Sequence, residues 1–259
     1  MCNNMLQYGH VYAWAREHGL RTVSMRFAYK YQYFHICDTR HHHFLTYALA
    51  KLGASCGLVP VVDFDEAGST GKEKEQQLEH ARLVVAQGWQ ARWYDLFLKY
   101  RREIADLFAF HEDIEQHAAS LLSDGLRLGV HIRRGDYARF HGGRFMYSDD
   151  QYAGIVRQCI DALAPTEPVS IYICGNDPAM DRSVFQKAFA DCRVVFPDGN
   201  PGEDLCVLSH CNYLIGAPST FTLVAALYRD LPVYWIEDPS QPVSVDSFKT
   251  FDYLFQHIY

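Results

Sequence analysis

The chain has no run of about 18 consecutive apolar residues, so it predicts no membrane-spanning helix. Its opening residues, Met1-Cys2-Asn3-Asn4, have neither the basic nor the apolar segment of a secretory signal. The eight cysteines, at 2, 37, 56, 159, 174, 192, 206 and 211, include no C-x-x-C pair. That spacing excludes a zinc knuckle and a thioredoxin-type redox motif. Excess base is missing too: 24 Lys+Arg against 31 Asp+Glu leave a net charge of −7, which argues against a general grip on nucleic acid. With 49% hydrophobic and 21% charged residues, the chain is neither disordered nor fibrous. What remains is a folded protein with reduced thiols, read as cytoplasmic, and 259 residues suffice for one large domain or two compact ones.

Against this acidic background, residues 126–147 hold five arginines (Arg127, Arg133, Arg134, Arg139, Arg144) and one acid, Asp136. Such an island suggests an anionic small ligand. The segment opens the more legible half of the chain. Residues 126–132 read as a strand, and Ser148-Asp-Asp-Gln151 as a capping box. Tyr152, Ile155, Val156, Cys159, Ile160 and Leu163 then share one helical face. Strands follow at 169–174, 194–196, 213–215 and 233–236. They alternate with helices at 178–190 (capped by Asp177), 203–210 and 219–228. Strand–helix repeated in this way predicts a parallel sheet covered on both faces. The aromatic-rich end, 246–259, predicts a last helix.

The first half predicts helices at 5–18 and 43–52, strands at 22–25, 58–62 and 83–86, and one long helix at 94–108. Residues 65–78 are polar and turn-rich and read as a loop. The domain boundary is expected near Ser123-Asp124-Gly125, giving domains 1–124 and 125–259. Two motifs fail on chemistry. Gly68-Ser-Thr-Gly-Lys72 has two residues where a phosphate loop needs four between its glycines, and Glu73 where it needs Ser or Thr. His41-His42-His43, on consecutive helical positions, would point about 100° apart and cannot share one ion well.

The strongest motif is His131-Ile-Arg-Arg-Gly-Asp-Tyr137. It leaves the carboxyl end of a strand, where ligands of open α/β sheets bind. Adjacent arginines can fork onto phosphate oxygens, and Gly135 lets the backbone turn. Three other strand ends run into Gly175-Asn176-Asp177, Pro197-Asp198-Gly199-Asn200 and Gly216-Ala217-Pro218-Ser219-Thr220, all on the same sheet edge. Ser219 and Thr220 open a helix, whose amides and hydroxyls suit an anion. Asp198 can accept from paired donors such as those of guanine. Together these features predict a nucleotide diphosphate pocket.

H-I-R-R-G-D-Y, then Y-I-C-G-N-D-P, then D-L-C-V-L-S-H-C-N-Y-L-I-G-A-P-S-T-F-T, resembles the family 11 glycosyltransferases, chiefly α-1,2-fucosyltransferases. More distantly it is similar to the α-1,6-fucosyltransferases, which carry the same His-x-Arg-Arg core. The likeness covers about residues 130–236. It extends weakly to Asn3-Asn4-Met5-Leu6-Gln7-Tyr8, similar to the family's Gly-Asn-Gln-Met-Phe-Gln-Tyr loop, and to Trp89-Gln90 and the helix after Trp93. The resemblance implies an α/β, GT-B-like architecture of two Rossmann-like domains with parallel sheets facing a cleft, and metal-independent, inverting transfer from GDP-fucose to a glycan. It implies no cofactor beyond that donor. Residue by residue, His131, Arg133 and Arg134 would hold the donor pyrophosphate and Asp198 would read guanine. Ser219 and Thr220 would bind phosphate or nearby donor atoms, with Asn176 and Asn4 also on the donor. The chain begins inside the family's glycine-rich turn, with Cys2-Asn3-Asn4 in place of Gly-Asn-Gln, so two readings stay open: the start lies too late, or the strand preceding that turn is missing. Leu223-Val224-Ala225-Ala226 stands where the family has a tryptophan-rich tail.

For the base that takes the acceptor proton, Asp136 and His141 are the candidates. Asp136, beside Arg134, is expected to stay ionised and orient the loop. His141 sits in Phe140-His-Gly-Gly143, a segment that could close over an acceptor, and an imidazole is the side chain suited to taking a proton near neutrality. Other readings stay open: a catalytically inactive sugar-nucleotide or glycan-binding protein, an α-1,6-type enzyme, and a phosphohydrolase using Asp136 with a histidine-bound metal. The expected setting is the cytoplasm of a bacterium, with peripheral association at the inner membrane face as a further option and soluble or lipid-linked glycans as acceptors.

Overall fold

The structure, a computed structural model, describes residues 1–258. The chain divides into two compact units, Met1–His111 and Glu112–Tyr259.

In the first unit, α1 (Cys2–Glu17) buries Met5, Leu6, Ala13 and Trp14. It packs on α4 (Tyr94–Lys99) at Gly9, where a Cβ would stand 2.4 Å from the Phe97 ring. Tyr12 and Arg16 of α1 both donate to Glu103 of α5 (Arg101–Leu107), at 3.0 and 3.1 Å. The helix expected over 94–108 is thus two helices, broken at Tyr100, whose hydroxyl donates to Glu17 at 2.7 Å. Between them in sequence, α2 (Phe44–Ser55) leaves Phe44, Leu45, Leu49 and Leu52 exposed. Two three-residue strands, β1 (Val61–Asp63) and β2 (Val85–Gln87), pair in parallel.

The segment read as a loop over 65–78 contains α3 (Gly71–His80), started by a reciprocal cap between Thr70 and Glu73. Only Leu78 gives it an apolar anchor, helped by Lys74, whose ammonium donates to the carbonyls of Phe64 and Glu66. The weak apolar face hid the helix. The strand expected at 22–25 does not form, because the Ser24 amide donates to His42 Nε2 at 2.9 Å and not to a neighbouring strand. His43 meanwhile caps α2, so the histidine triplet is divided between separate structural tasks.

The second unit begins earlier than the expected break after residue 124. Its first element is α6 (Glu112–Leu121), which buries Ile114 and Ala118 and carries three acids in its first turn, where the helix dipole favours them. Then come β3 (Leu126–Ile132), α7 (Asp149–Leu163), β4 (Val169–Gly175), α8 (Arg182–Ala188), β5 (Arg193–Val195), α9 (Pro201–Ser209), β6 (Tyr213–Gly216), α10 (Thr220–Leu227), β7 (Val233–Trp235) and α11 (Phe251–Gln256). The five strands form one parallel sheet in the order β5-β4-β3-β6-β7. Leu128, Val130 and Ile132 on one face of β3 are fully buried, and Gly129 and His131 on the other are buried too, as a strand covered on both faces requires. The expected cap at Asp177 is replaced by Asp181, which accepts from Ser183 and starts α8 four residues late. Among the described residues no cysteine forms a disulfide, and Cys159, Cys174 and Cys206 are buried as small apolar residues. Among the described residues no helix is long and apolar enough to cross a membrane.

Candidate active site

The strand order reverses direction between β3 and β6: the chain moves outward from β3 through β4 to β5, then returns to the other side of β3. Ligands of such sheets bind in the crevice at that switch point, outside the carboxyl ends of the strands. The loops emerging there are residues 133–148 after β3 and 217–219 after β6.

The His131 side chain is buried and stacked on Phe221, with centroids 4.5 Å apart and planes at 12°. Burial, then the Arg133 charge, lowers its pKa from 6.5 to about 3, so the ring is neutral. Its Nδ1 is buried without a hydrogen-bond partner among the described residues, as is Arg133 Nε.

The two arginines diverge. Arg133 pairs with Asp136 at 2.8 Å in a partly exposed contact and lies 5.6 Å from the Tyr137 ring centre. Arg134, expected on the donor pyrophosphate, instead turns inward. Its Nε donates to the Tyr147 carbonyl at 3.0 Å, Nη1 to Asp177 at 3.1 Å and Nη2 to Asp149 at 2.6 Å. Burial pulls its pKa down, but the two carboxylates outweigh this and hold it above the ordinary value. Asn176 accepts from the Arg134 amide at 3.0 Å. Asp136 therefore pairs with Arg133, not with Arg134 as the sequence suggested. Arg127, at the opposite end of β3, is no part of this edge, so the arginine island is not one patch.

Gly135 has a φ of 59°, the left-handed turn that its lack of a side chain permits. His141 also has a left-handed φ, 47°, and its exposed ring meets Phe140 edge-on at 4.4 Å. The Tyr137 hydroxyl donates to the Pro218 carbonyl, tying the arginine loop to the loop after β6. Ser219 caps α10 by accepting from the Phe221 amide at 3.1 Å, and Thr220 is its first residue.

After β5, Asp198 sits at a φ of 54° and is engaged by Arg182. Its carboxylate thus already has a cationic partner. The neighbouring carboxylate is different. Asp204, in the first turn of α9, has an Oδ1 that is buried without a hydrogen-bond partner among the described residues. Burial raises its pKa from 3.8 to about 7, with Glu203 and Asp198 adding to the rise and the Gly199 amide opposing it. Sequence reasoning missed Asp204, because an acid in a helix's first turn reads as a dipole-favoured surface group. The second unit therefore brings His131, Arg133, Arg134, Asp136, His141, Asn176, Asp198, Ser219 and Thr220 to one sheet edge. Asn4 lies on α1 in the first unit.

No protein-family model matches the chain. Known sequences do. The chain is 30% identical over 170 residues to the galactoside α-(1,2)-fucosyltransferase 2 of Oryctolagus cuniculus, a match covering 59% of this chain and 46% of that protein. It is 28% identical over 171 residues to the galactoside α-(1,2)-fucosyltransferase 1 of Mus musculus, covering 60% and 44%. This chain is similar to the α-1,2-fucosyltransferases. It spans about half the length of these relatives. The fucosyltransferase likeness extends to architecture: the apo-form crystal structure of POFUT1 superimposes with a TM-score of 0.51 at 11% identity, covering 87% of this chain and 90% of that one. The fold is thus α/β with parallel sheets and GT-B-like, as the sequence led us to expect.

Proposed function

We propose that this protein transfers L-fucose from GDP-fucose to a glycan hydroxyl, with inversion and without a metal, and that it forms an α-1,2 linkage. The reading is carried by one observation above all. A chain similar to galactoside α-1,2-fucosyltransferases presents on one sheet edge Arg133, the start of α10 and an Asp204 carboxylate whose Oδ1 is buried without a hydrogen-bond partner among the described residues.

In this reading Arg133 exchanges Asp136 for the donor pyrophosphate and offsets the charge that grows on GDP as it leaves. Ser219 and Thr220 add hydroxyl and amide donors at the start of α10. Neutral His131, held flat on Phe221, lines the phosphate end. Arg134 does not touch the donor; with Asn176 it holds the loop on which Arg133 is mounted. Asp204 reads the paired donors of guanine, and the Asp198–Arg182 pair flanks it. The acceptor oxygen bonds to the fucose anomeric carbon as the bond to the phosphate oxygen breaks on the opposite face. The acceptor proton passes to His141, the candidate base on the left-handed turn, while Asp136 orients the loop.

Cysteines without disulfides suit a reducing compartment, so the proposed setting is the cytoplasm, with soluble or lipid-linked glycans as acceptors. The test is to offer GDP-fucose with galactose-terminated and N-acetylglucosamine-terminated glycans and to assign the product linkage by NMR. Fucose on the 2-hydroxyl of galactose supports the proposal. Fucose on a 6-hydroxyl of N-acetylglucosamine would make the enzyme an α-1,6 type. Donor binding without any fucosylated product would mark a binding protein.

A further inference from the structure

The crossing of α6 and α9 brings together three side chains that the donor site does not use. Glu115 projects from α6, Cys206 from α9, and His210, four residues on, is the residue that ends α9, about one helical turn beyond Cys206. The Glu115 Oε2 atom is 2.9 Å from His210 Nε2. One ligand atom from each of the three lies within 4.8 Å of the other two. Cys206 is fully buried, and Glu115 and His210 are partly so.

We propose that Glu115, Cys206 and His210 form a zinc site that fastens α6 to α9. Thiolate, imidazole and carboxylate are the ligand types that zinc accepts, in a four-coordinate arrangement whose last position a water can fill. As the metal–sulfur bond forms, the thiol proton leaves to solvent. Two arginines face the cluster. Arg229 Nη2 is 3.3 Å from His210 Nε2, and Arg127 acts on His210 through its charge. The bound set, one dication with one thiolate and one carboxylate, is neutral, and Arg229 is exposed and free to swing outward.

The site's position defines its role. Asn212, two residues past His210, exchanges hydrogen bonds with the Arg127 backbone at 2.8 Å, at the amino end of β3. The donor loops leave the other end of that strand, roughly 20 Å away at 3.3 Å per residue. The zinc would brace the fold and take no part in transfer.

The experiment uses the whole, untagged chain stripped with a chelator, titrated with zinc or with cobalt(II) as its spectroscopic substitute. Stoichiometric binding is expected, with a near-ultraviolet thiolate-to-cobalt band that vanishes in Cys206→Ala. The exposed Cys56 and the histidine triplet remain in that variant, so they serve as its internal control. Glu115→Gln, at a partly exposed position that folding tolerates, should weaken zinc by roughly a hundredfold, since even outer-sphere changes cost tenfold or more. Arg229→Gln should tighten it, and magnesium should not compete. Absence of stoichiometric binding overturns the proposal, as does a cobalt spectrum without the thiolate band or a zinc affinity unchanged in Glu115→Gln.

Discussion

Arg134 Nη2 stands 2.6 Å from Asp149 Oδ1, and through that pair a single guanidinium ties the loop after β3 to the start of α7. Asp149 in turn accepts from the Asp181 amide at 2.9 Å, and Asp177 takes the other arm of Arg134 at 3.1 Å. Two loops of the candidate site, those after β3 and after β4, thus share one buried cation. Of the two adjacent arginines, Arg133 is the one left available to a ligand.

Arg134 should therefore behave as a structural residue. Arg134→Ala leaves two partly buried carboxylates uncompensated and should cost about 3 kcal/mol or more. Arg134→Lys should recover little, because one ammonium cannot meet Tyr147, Asp149 and Asp177 together. Urea unfolding measures both. Wild-type midpoints would refute the anchoring role.

Arg133 should show the opposite pattern. Its pair with Asp136 is partly exposed, so Arg133→Ala should change stability by no more than about 1 kcal/mol. The loss of GDP affinity should be roughly 1.5–3 kcal/mol, about ten- to a hundredfold. Calorimetry on the folded variant decides. Asp136→Asn, which releases Arg133, should bind GDP at least as well as the parent.

Asp204 makes a pH prediction of definite sign. Its folded pKa is raised from 3.8 to about 7, so the folded chain holds a proton that the unfolded chain releases. Its contribution to stability is complete below about pH 4 and is lost as pH rises through 7. Asp204→Asn should remove that loss. Guanine donors require the ionised carboxylate, so GDP binding near pH 6 should release a proton from the parent and fewer from Asp204→Asn. Equal release, read from calorimetry in buffers of different ionisation heat, would exclude Asp204 from the base site.

His131 acts in the other direction. Its folded pKa is lowered to about 3, so the unfolded chain takes up a proton below 6.5 that the folded chain refuses. Stability falls as pH drops from 6.5 towards 3, at a limiting slope of about 1.4 kcal/mol per pH unit. His10 and His42, lowered to about 3 and 4 by burial, contribute with the same sign. His131→Gln should flatten the acid limb without abolishing it. An unchanged slope in urea midpoints across pH would contradict the buried neutral ring.

The second unit was legible because its signals agree. Strand 126–132 sets Leu126, Leu128, Val130 and Ile132 on one face, and Ser148 and Gln151 close a reciprocal cap as their spacing indicates. The first unit was less so. Its strands are three residues long, and its backbone leans on side chains such as His42, which no periodicity reveals. At the site, the sequence located the loops but not their occupants. Arg133 and Arg134 are indistinguishable as letters, and only geometry shows which one is consumed internally. Asp198 and Asp204 exchange expectations for a similar reason: Arg182 reaches Asp198 across sixteen residues of chain, and burial of Asp204 depends on how α9 seats on the sheet.

The most direct measurement is GDP release from GDP-fucose, with and without a galactose-terminated glycan, in the parent chain and in Arg133→Ala. The account predicts acceptor-dependent release in the parent and a rate lowered at least tenfold at subsaturating donor in the variant, with the fold intact. Acceptor-dependent release that is equal in both proteins would contradict the assignment of Arg133 to the donor pyrophosphate, and no release from the parent with any glycan would contradict the transferase itself.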